Sequence, residues 1–276
     1  MVWEINTFTP SGGDASRFGK VAGRSSGPML LYCHGVGGNE NEFSISDYAN
    51  LRSWMHDNGW AWAEALATGP GWGNQAQRNC YSATVEYIGN SYDITDIVIF
   101  GRSMGGLVAS WLYLYSSIVD LCRGLILCSS VQDIMDMYDG TSGTSSFRTS
   151  IRNAYGTVDK ATTVAAIAGH NPIDFPSEDY TGKAILFQTG TEDDIVNPVE
   201  NVQKQNTRVS TFLSLNVIDY IAGDHYITRP RWEQHSAFMD SVILPPEPPS
   251  DLNVYRTSQR YFYSIDGKYF PVGSSV

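Results

Sequence analysis

Ile97-Val98-Ile99-Phe100-Gly101-Arg102-Ser103-Met104-Gly105-Gly106-Leu107-Val108-Ala109-Ser110 sets how the rest of the chain is read. Four β-favouring apolar residues run into Gly-x-Ser-x-Gly, after which Leu107, Val108, Trp111, Leu112, Leu114 and Tyr115 recur at three- and four-residue steps. The pattern predicts a strand, a tight turn and a helix, with one serine at the apex. A neutral serine hydroxyl is a weak nucleophile and has to project from a sharp turn where a base can reach it. Gly101 and Gly105 remove the Cβ atoms that would clash there. The start of the following helix supplies free N–H groups and a positive dipole end, so the Met104 N–H is the expected donor to a developing oxyanion. The chain contains its own control, because Gly23-Arg24-Ser25-Ser26-Gly27 fits the same pattern. That copy sits in a Ser/Gly-rich loop with Pro28 where a helix should begin, and it reads as a loop only.

Upstream, Pro28–Cys33 is a short apolar run that reads as a central strand. It opens into His34-Gly35-Val36-Gly37-Gly38-Asn39, a turn in which a backbone N–H can approach a ligand closely. The Val36 N–H is nominated as the second oxyanion donor, with His34 as an orienting or packing residue. A helix is expected over 46–58 with Ser46 or Asp47 as its cap, His56 near its end being structural, then a strand over 60–65. The loop Gly69-Pro70-Gly71-Trp72-Gly73-Asn74 precedes a helix over 75–88. Trp72, an aromatic in a loop at a strand's carboxyl end, is a candidate substrate-binding residue, with ordinary packing as the alternative. A short strand is expected at Trp3–Phe8.

Downstream, Asp120–Cys128 reads as the next strand, and residues 131–181 then break the rhythm. They hold a helical piece with Met135, Met137 and Tyr138, a Gly/Ser/Thr-rich loop at Gly140–Ser146 and a helix near Val158–Ile167. Fifty residues between strands point to a cap or lid. His170 lies in its return loop, where no strand delivers it as a base. Lys183–Gln188 is another strand and ends in the acidic turn Glu192-Asp193-Asp194, at the sheet edge where ligand sites of open α/β sheets lie. The last strand, Leu213–Ile221, opens into Ala222-Gly223-Asp224-His225-Tyr226, and a helix follows from Pro230 to Val242 with a structural His235 inside it.

The 276 residues suffice for one large α/β domain and a small appendage. A net charge of −11 and a pI near 4.8 exclude nucleic-acid binding through a basic surface. Cys33, Cys80, Cys122 and Cys128 show no metal-ligand spacing and read as buried thiols. Met1–Asn6 has no signal-peptide character, and no run reaches the ~18 apolar residues of a membrane span. Pro245-Pro-Glu-Pro-Pro249 is a stiff spacer, and Arg260–Val272 reads as a β-hairpin around Asp266-Gly267. The expected organisation is a main domain over 1–244 with its lid at about 131–181, a Pro-rich linker over 245–250, and a tail over 251–276 that docks on a partner or on the main domain.

In chain order the candidates are nucleophile Ser103, an acid in the 192–194 turn, and base His225. With the Gly-x-Ser-x-Gly turn and the early His-Gly loop, this order over about residues 28–243 resembles the α/β-hydrolase fold superfamily. Gly190-x-x-Asp193-x-x-Val196 looks like that superfamily's acid turn, which selects Asp193. Trp72-Gly73-Asn74, Ser103-Met104-Gly105-Gly106 and His170-Asn171-Pro172 resemble a group of bacterial and bacteriophage hydrolases, some of them virion proteins. The resemblance implies an α/β fold with a mostly parallel central sheet, helices on both faces and a lid. It also implies a Ser-His-Asp triad that cleaves a small-molecule or polymer-borne carboxylic ester with no metal or organic cofactor, in a cytoplasmic or virion-associated protein. A peptidase or amidase with the same triad, or a virion or surface protein using the fold as a scaffold, are the alternatives.

Overall fold

The computed structural model describes residues 2–140 and 146–243, together with the backbone of three short strands beyond them. Eight strands form one sheet: β1 (Trp3–Phe8), β2 (Ser16–Val21), β3 (Ser26–Cys33), β4 (Ala61–Ala65), β5 (Asp93–Arg102), β6 (Cys122–Cys128), β7 (Ala184–Gly190) and β8 (Leu215–Ile221). The helices are α1 (Ala49–Asp57), α2 (Gln75–Gly89), α3 (Gly105–Tyr115), α4 (Ile134–Asp139), α5 (Ser146–Tyr155), α6 (Lys160–Ala166), α7 (Lys204–Val209) and α8 (Trp232–Val242). The strand order is β1-β2-β4-β3-β5-β6-β7-β8. Pairs β1·β2 and β2·β4 are antiparallel, and all pairs from β4 to β8 are parallel.

Parallel strands joined by helices must be covered on both faces, and the side chains of β3 and β5 divide accordingly. Met29, Leu31, Ile97 and Ile99 pack with Tyr81 and Val85 of α2 and Val108 and Leu112 of α3. Leu30, Tyr32, Val98 and Phe100 face the other way, onto Leu51 and Met55 of α1 and Phe238 and Met239 of α8. Because β4 lies on one side of β3 and β5 on the other, the order reverses at β3/β5 and opens a crevice at the carboxyl ends of those two strands. Both Ser103 and the His34–Asn39 turn lie at that crevice.

Several expectations need correction. The strand β2 has no counterpart in the sequence reading: its Gly19 lies under the Trp62 indole, where any Cβ would collide, and this small position interrupts the apolar alternation. Ser46 and Asp47 do not cap α1; they form a separate 3-10 turn, and Tyr48 precedes the helix with no side-chain cap. Residues 146–155, assigned at their start to a loop, form α5, which buries Ile151 against the inserted segment. In the C-terminal tail, β9 (Asn253–Arg256) joins β10 (Tyr261–Ile265) and β11 (Lys268–Pro271) in a three-stranded antiparallel sheet rather than a bare hairpin. A third strand adds the pairing that an isolated hairpin lacks. Residues 141–145, the Pro245–Pro249 spacer and the Asp266-Gly267 turn lie outside the described residues. Of the motif copy at Gly23–Gly27, residues 23–25 lie in the turn from β2 into β3, while Ser26 and Gly27, assigned to the loop, begin β3. All four cysteines are buried and free. Among the described residues, no helix is long and apolar enough to cross a membrane.

Glu64 is an exception inside this apolar frame. It lies fully buried in β4, accepts a hydrogen bond from the Phe43 N–H at 2.7 Å, and has Arg17 Nη1 3.8 Å from its second oxygen. Burial pushes its carboxyl up to about 8, against 4.5 in its ordinary state. The folded state therefore holds a proton that the unfolded chain has released. The stability this confers is complete below about pH 4.5 and is lost as the pH rises through about 8. Urea unfolding at pH 5, 7 and 9 should show Glu64→Gln with a flatter pH dependence and an advantage at pH 9 on the order of 1 kcal/mol or more. Parallel pH profiles for the two proteins would contradict this account.

Candidate active site

The turn between β5 and α3 carries Ser103 in the left-handed region, at φ +50°. A non-glycine residue is held there only when its surroundings over-determine it. The Ser103 N–H donates to the Cys128 carbonyl at 3.0 Å, and its own carbonyl accepts from Gly106 and Val131 at 3.0 and 2.9 Å. Space is the second constraint. A Cβ on Gly101 would stand 2.6 Å from Ala109 Cβ, one on Gly106 would stand 2.5 Å from Ser130 Cβ, and one on Gly105 would overlap the Cys33 carbonyl. These small residues bring α3 down onto the ends of β3 and β5, which leaves the serine at the apex.

Asp193 and His225 come from the ends of β7 and β8. Asp193 Oδ1 accepts from the Ile195 and Val196 N–H groups at 3.0 and 2.8 Å, an Asx turn that holds the carboxylate, and Oδ2 lies 2.7 Å from His225 Nδ1. Both side chains are almost entirely buried. A carboxylate only accepts, so Nδ1 carries the hydrogen of that contact. The ring meets Asp193, and neither Glu192 nor Asp194 takes that place.

Ser103, His225 and Val36 all line one open cavity of about 570 Å³. The β3 loop passes directly over the serine: a Cβ on Gly35 would stand 3.0 Å from Ser103 Cβ. His34, wholly buried, holds this loop, with its ring nitrogens 2.7 and 2.9 Å from the Gly35 and Leu66 carbonyls. Among the described residues the Val36 and Met104 N–H groups make no hydrogen bond, and neither does Ser103 Oγ. The cavity thus holds an unengaged hydroxyl, one unengaged backbone donor on the turn beside it and an oriented imidazole, with a second unengaged donor at Met104, next to the serine in the chain. Such a set can stabilise an oxyanion and move a proton from a nucleophile. Among the described residues, no group of three or more His, Cys, Asp or Glu is placed to hold a metal ion.

Trp72 departs from its expected place. It is wholly buried and does not line the cavity. It packs with Met104, Leu107 and Ile151, and its Nε1 donates to Ser150 Oγ at 2.8 Å. Its carbonyl accepts from Tyr155 OH at 2.8 Å, and Asn74 Nδ2 donates to the Ala154 carbonyl at 2.8 Å. The Trp72-Gly73-Asn74 turn is therefore the seat of α5, and α5 in turn presents Phe147 to the cavity. Asn171 of the His170-Asn171-Pro172 motif is likewise an anchor, accepting from the Ile134 N–H at 2.8 Å. His170 sits against Tyr155, and burial lowers its imidazole to about 4. His235 is buried beside Gln188 and Cys128, and burial lowers it to about 3.

The sequence reading missed the charged wall of the cavity. Glu42 Oε1 accepts from Arg102 Nη1 at 3.1 Å and Arg229 Nη2 at 3.2 Å, and the Tyr226 ring lies 5.3 and 4.8 Å from the two guanidinium carbons. Arg102 stands inside the motif, beside the serine. Glu42 and Arg229 are separated by 187 positions, and no local pattern links them.

No protein-family model matches the chain, and no curated protein sequence matches it. Solved structures do resemble it. An acylaminoacyl peptidase from Pyrococcus horikoshii superposes with a TM-score of 0.69 at 14% identity, over 91% of this chain and 43% of its own. An esterase from Pyrococcus furiosus gives 0.59 at 12% identity over 87% and 92%, and oligopeptidase B from Leishmania major gives 0.61 at 17% over 87% and 36%. The chain thus spans less than half the length of the two peptidases. Together with the sheet order, these likenesses establish the α/β-hydrolase fold.

Truncating Trp72 tests its part in seating α5. Trp72→Ala should lower the unfolding free energy by about 3–5 kcal/mol in urea titration. Trp72→Phe, which loses the bond to Ser150 and some volume, should cost about 1–2 kcal/mol. A negligible loss in Trp72→Ala would mean that α5 is seated by other contacts.

Proposed function

We propose that the chain is a serine hydrolase that cleaves a carboxylic ester, with Ser103 as nucleophile, His225 as general base and acid, and Asp193 as the group orienting the imidazole. The observation that carries this reading is the 2.7 Å contact from Asp193 Oδ2 to His225 Nδ1, in a cavity that also holds the apical, unengaged Ser103 hydroxyl. His225 Nε2 takes the Ser103 proton as Oγ bonds to the substrate carbonyl carbon, and the carbonyl π electrons move onto its oxygen. The Val36 and Met104 N–H groups receive that oxyanion, a contribution of about 3–4 kcal/mol per donor in comparable sites. Collapse of the intermediate expels the alcohol, which takes the proton from His225. Water then attacks the acyl-serine through the same imidazole, releasing the acid and restoring the serine. In this reading residues 131–181 are the cap, residues 1–244 form the catalytic domain, and the tail beyond the Pro-rich linker is a docking element.

An ester rather than a peptide is favoured by extent. The chain matches the Pyrococcus furiosus esterase over 92% of that protein, whereas more than half of each peptidase chain lies outside the match. The same atoms could cut an amide, so the bond is decided by assay. A fluorophosphonate probe should label the wild type and not Ser103→Ala, and short 4-nitrophenyl esters should be turned over well ahead of matched anilides. Ser103→Ala and His225→Ala should each reduce ester kcat by about 10⁴-fold or more, with Asp193→Asn close to that. A folded wild type that is neither labelled nor active would refute the catalytic assignment, and faster turnover of the anilide would shift it to a peptidase or amidase.

A further inference from the structure

The hydrolase reading leaves the charged wall of the cavity without a role. Among the lining residues the carboxylate and guanidinium side chains are Glu42, Arg102 and Arg229, two guanidiniums against one carboxylate. Both arginines donate to the same oxygen, Glu42 Oε1, at 3.1 and 3.2 Å. The other oxygen, Oε2, is buried against Gly38 and has no partner among the described residues. Glu42 therefore neutralises one of the two cations through a single atom. The remaining donors are poorly used: Arg102 Nε and Nη2 and Arg229 Nε are buried with no partner among the described residues. Arg229 Nη1 has only a long ion pair, 3.6 Å, to Asp47, whose side chain is 40% exposed and does not line the cavity. Arg102 itself is only 4% exposed. A buried guanidinium with idle N–H groups is costly to maintain and has to be accounted for.

With Asp47 the two cations face two carboxylates, so the surplus belongs to the cavity lining alone. The protein as a whole carries −11, a field that opposes the approach of an anion, so a positive wall beside the candidate nucleophile runs against the global balance. The lining is also of two kinds. Phe147 and Ile195, from the cap and the acid turn, are apolar, as are Val36 and Ile45 after β3, whereas the charged groups are Glu42, Arg102 before Ser103 and Arg229 after His225. An ester has two sides at its carbonyl carbon, and these two sets of residues suit two different substituents.

We propose that the substrate of this site carries a second, anionic group, a carboxylate on its acyl chain, which is received by Arg229 with Arg102 behind it. This rests on the serine-hydrolase reading above. Arg229 makes the contact because its side chain keeps 19% of its surface accessible against 5% for Arg102. Its planar fork matches a carboxylate at two points. Arg102 supplies the second charge, and the Tyr226 ring keeps both guanidiniums together.

The test compares 4-nitrophenyl butyrate with the mono-4-nitrophenyl esters of succinate, glutarate and adipate at pH 7. The expected ratio of kcat/KM, anionic over neutral, is about 10 or more for the best chain length in the wild type. It should fall to near one or below in Arg229→Gln, be largely kept in Arg229→Lys, and rise in Glu42→Gln, which frees both arginines. A wild-type ratio at or below one for all three lengths, or a ratio unmoved by Arg229→Gln, overturns the proposal while leaving the hydrolase reading intact if butyrate is cleaved. Should no ester or anilide be cleaved and no fluorophosphonate label be taken up, the hydrolase reading fails and binding still decides the subsite. Calorimetry of free succinate, glutarate and adipate on the full chain should then give a dissociation constant weakened at least about tenfold by Arg229→Gln. No heat of binding, or binding indifferent to Arg229→Gln, overturns it.

Discussion

The close approach of α3 to β3 is the constraint on which this molecule depends. At Gly105 there is no room for a side chain beside the Cys33 carbonyl, and at Gly101 and Gly106 the clearance is as small. Only this contact lets the β5–α3 turn be tight enough to hold Ser103 at φ +50° and to bring the His34–Asn39 turn across it. The unengaged Met104 and Val36 N–H groups follow from the same geometry. The first residues of a helix have no intrahelical acceptor, and a glycine-rich turn running over a serine spends few of its donors on itself. Strain at one residue is thus held by the packing of the most buried helix in the fold.

Around this fixed point the inserted segment is attached by polar anchors. Asn201 takes the Gln132 and Asp133 N–H groups on one oxygen, both at 2.9 Å, and donates to Asp136 at 2.9 Å. Asn171 holds Ile134, and the Trp72–Asn74 turn holds α5. The inserted segment contributes Phe175 and Tyr180 to one face of the sheet, and the two faces are otherwise covered mainly by α1, α2, α3, α7 and α8. Its own apolar cluster, with Trp72, Met104 and Leu107 at the base, couples it to the serine turn. The fold therefore sets a platform, made by sheet burial, beside a segment that is seated by hydrogen bonds and by its own apolar cluster.

Much of this was legible in the chain. Strands β3, β5, β6 and β7 stand out because a strand buried on both faces is a continuous apolar run, and helices α2, α3 and α8 because their apolar periods are long and well bounded. The acid turn was narrowed to one residue, and the hydrogen bond to His225 falls on that residue, Asp193. What failed, failed for identifiable reasons. The strand β2 carries a glycine where the Trp62 ring needs space, so its alternation is broken. The start of α5 follows a Gly/Ser/Thr-rich stretch that masks it, and the helix is held by Trp72, 78 positions from Ser150. Trp72 read as a pocket residue or a packing one, because glycines and a proline surround it, and it packs. Those residues serve the sharp turn, and the indole goes under α5.

Taken alone, the sequence determined the local periods, the tight turn and its glycines, the order of the strand ends that carry Ser103, Asp193 and His225, and the net charge of −11. These are properties of short windows, in which each residue's preference is set by neighbours a few positions away. Tertiary structure alone decided that Glu42 meets both Arg102 and Arg229, that Glu64 is buried with its proton, and that Trp72 faces inward. Each of those depends on which strands are neighbours. A reversal of strand order between β3 and β5 brings distant loops to one crevice, and a pairing made by the sheet leaves no period in the chain that forms it.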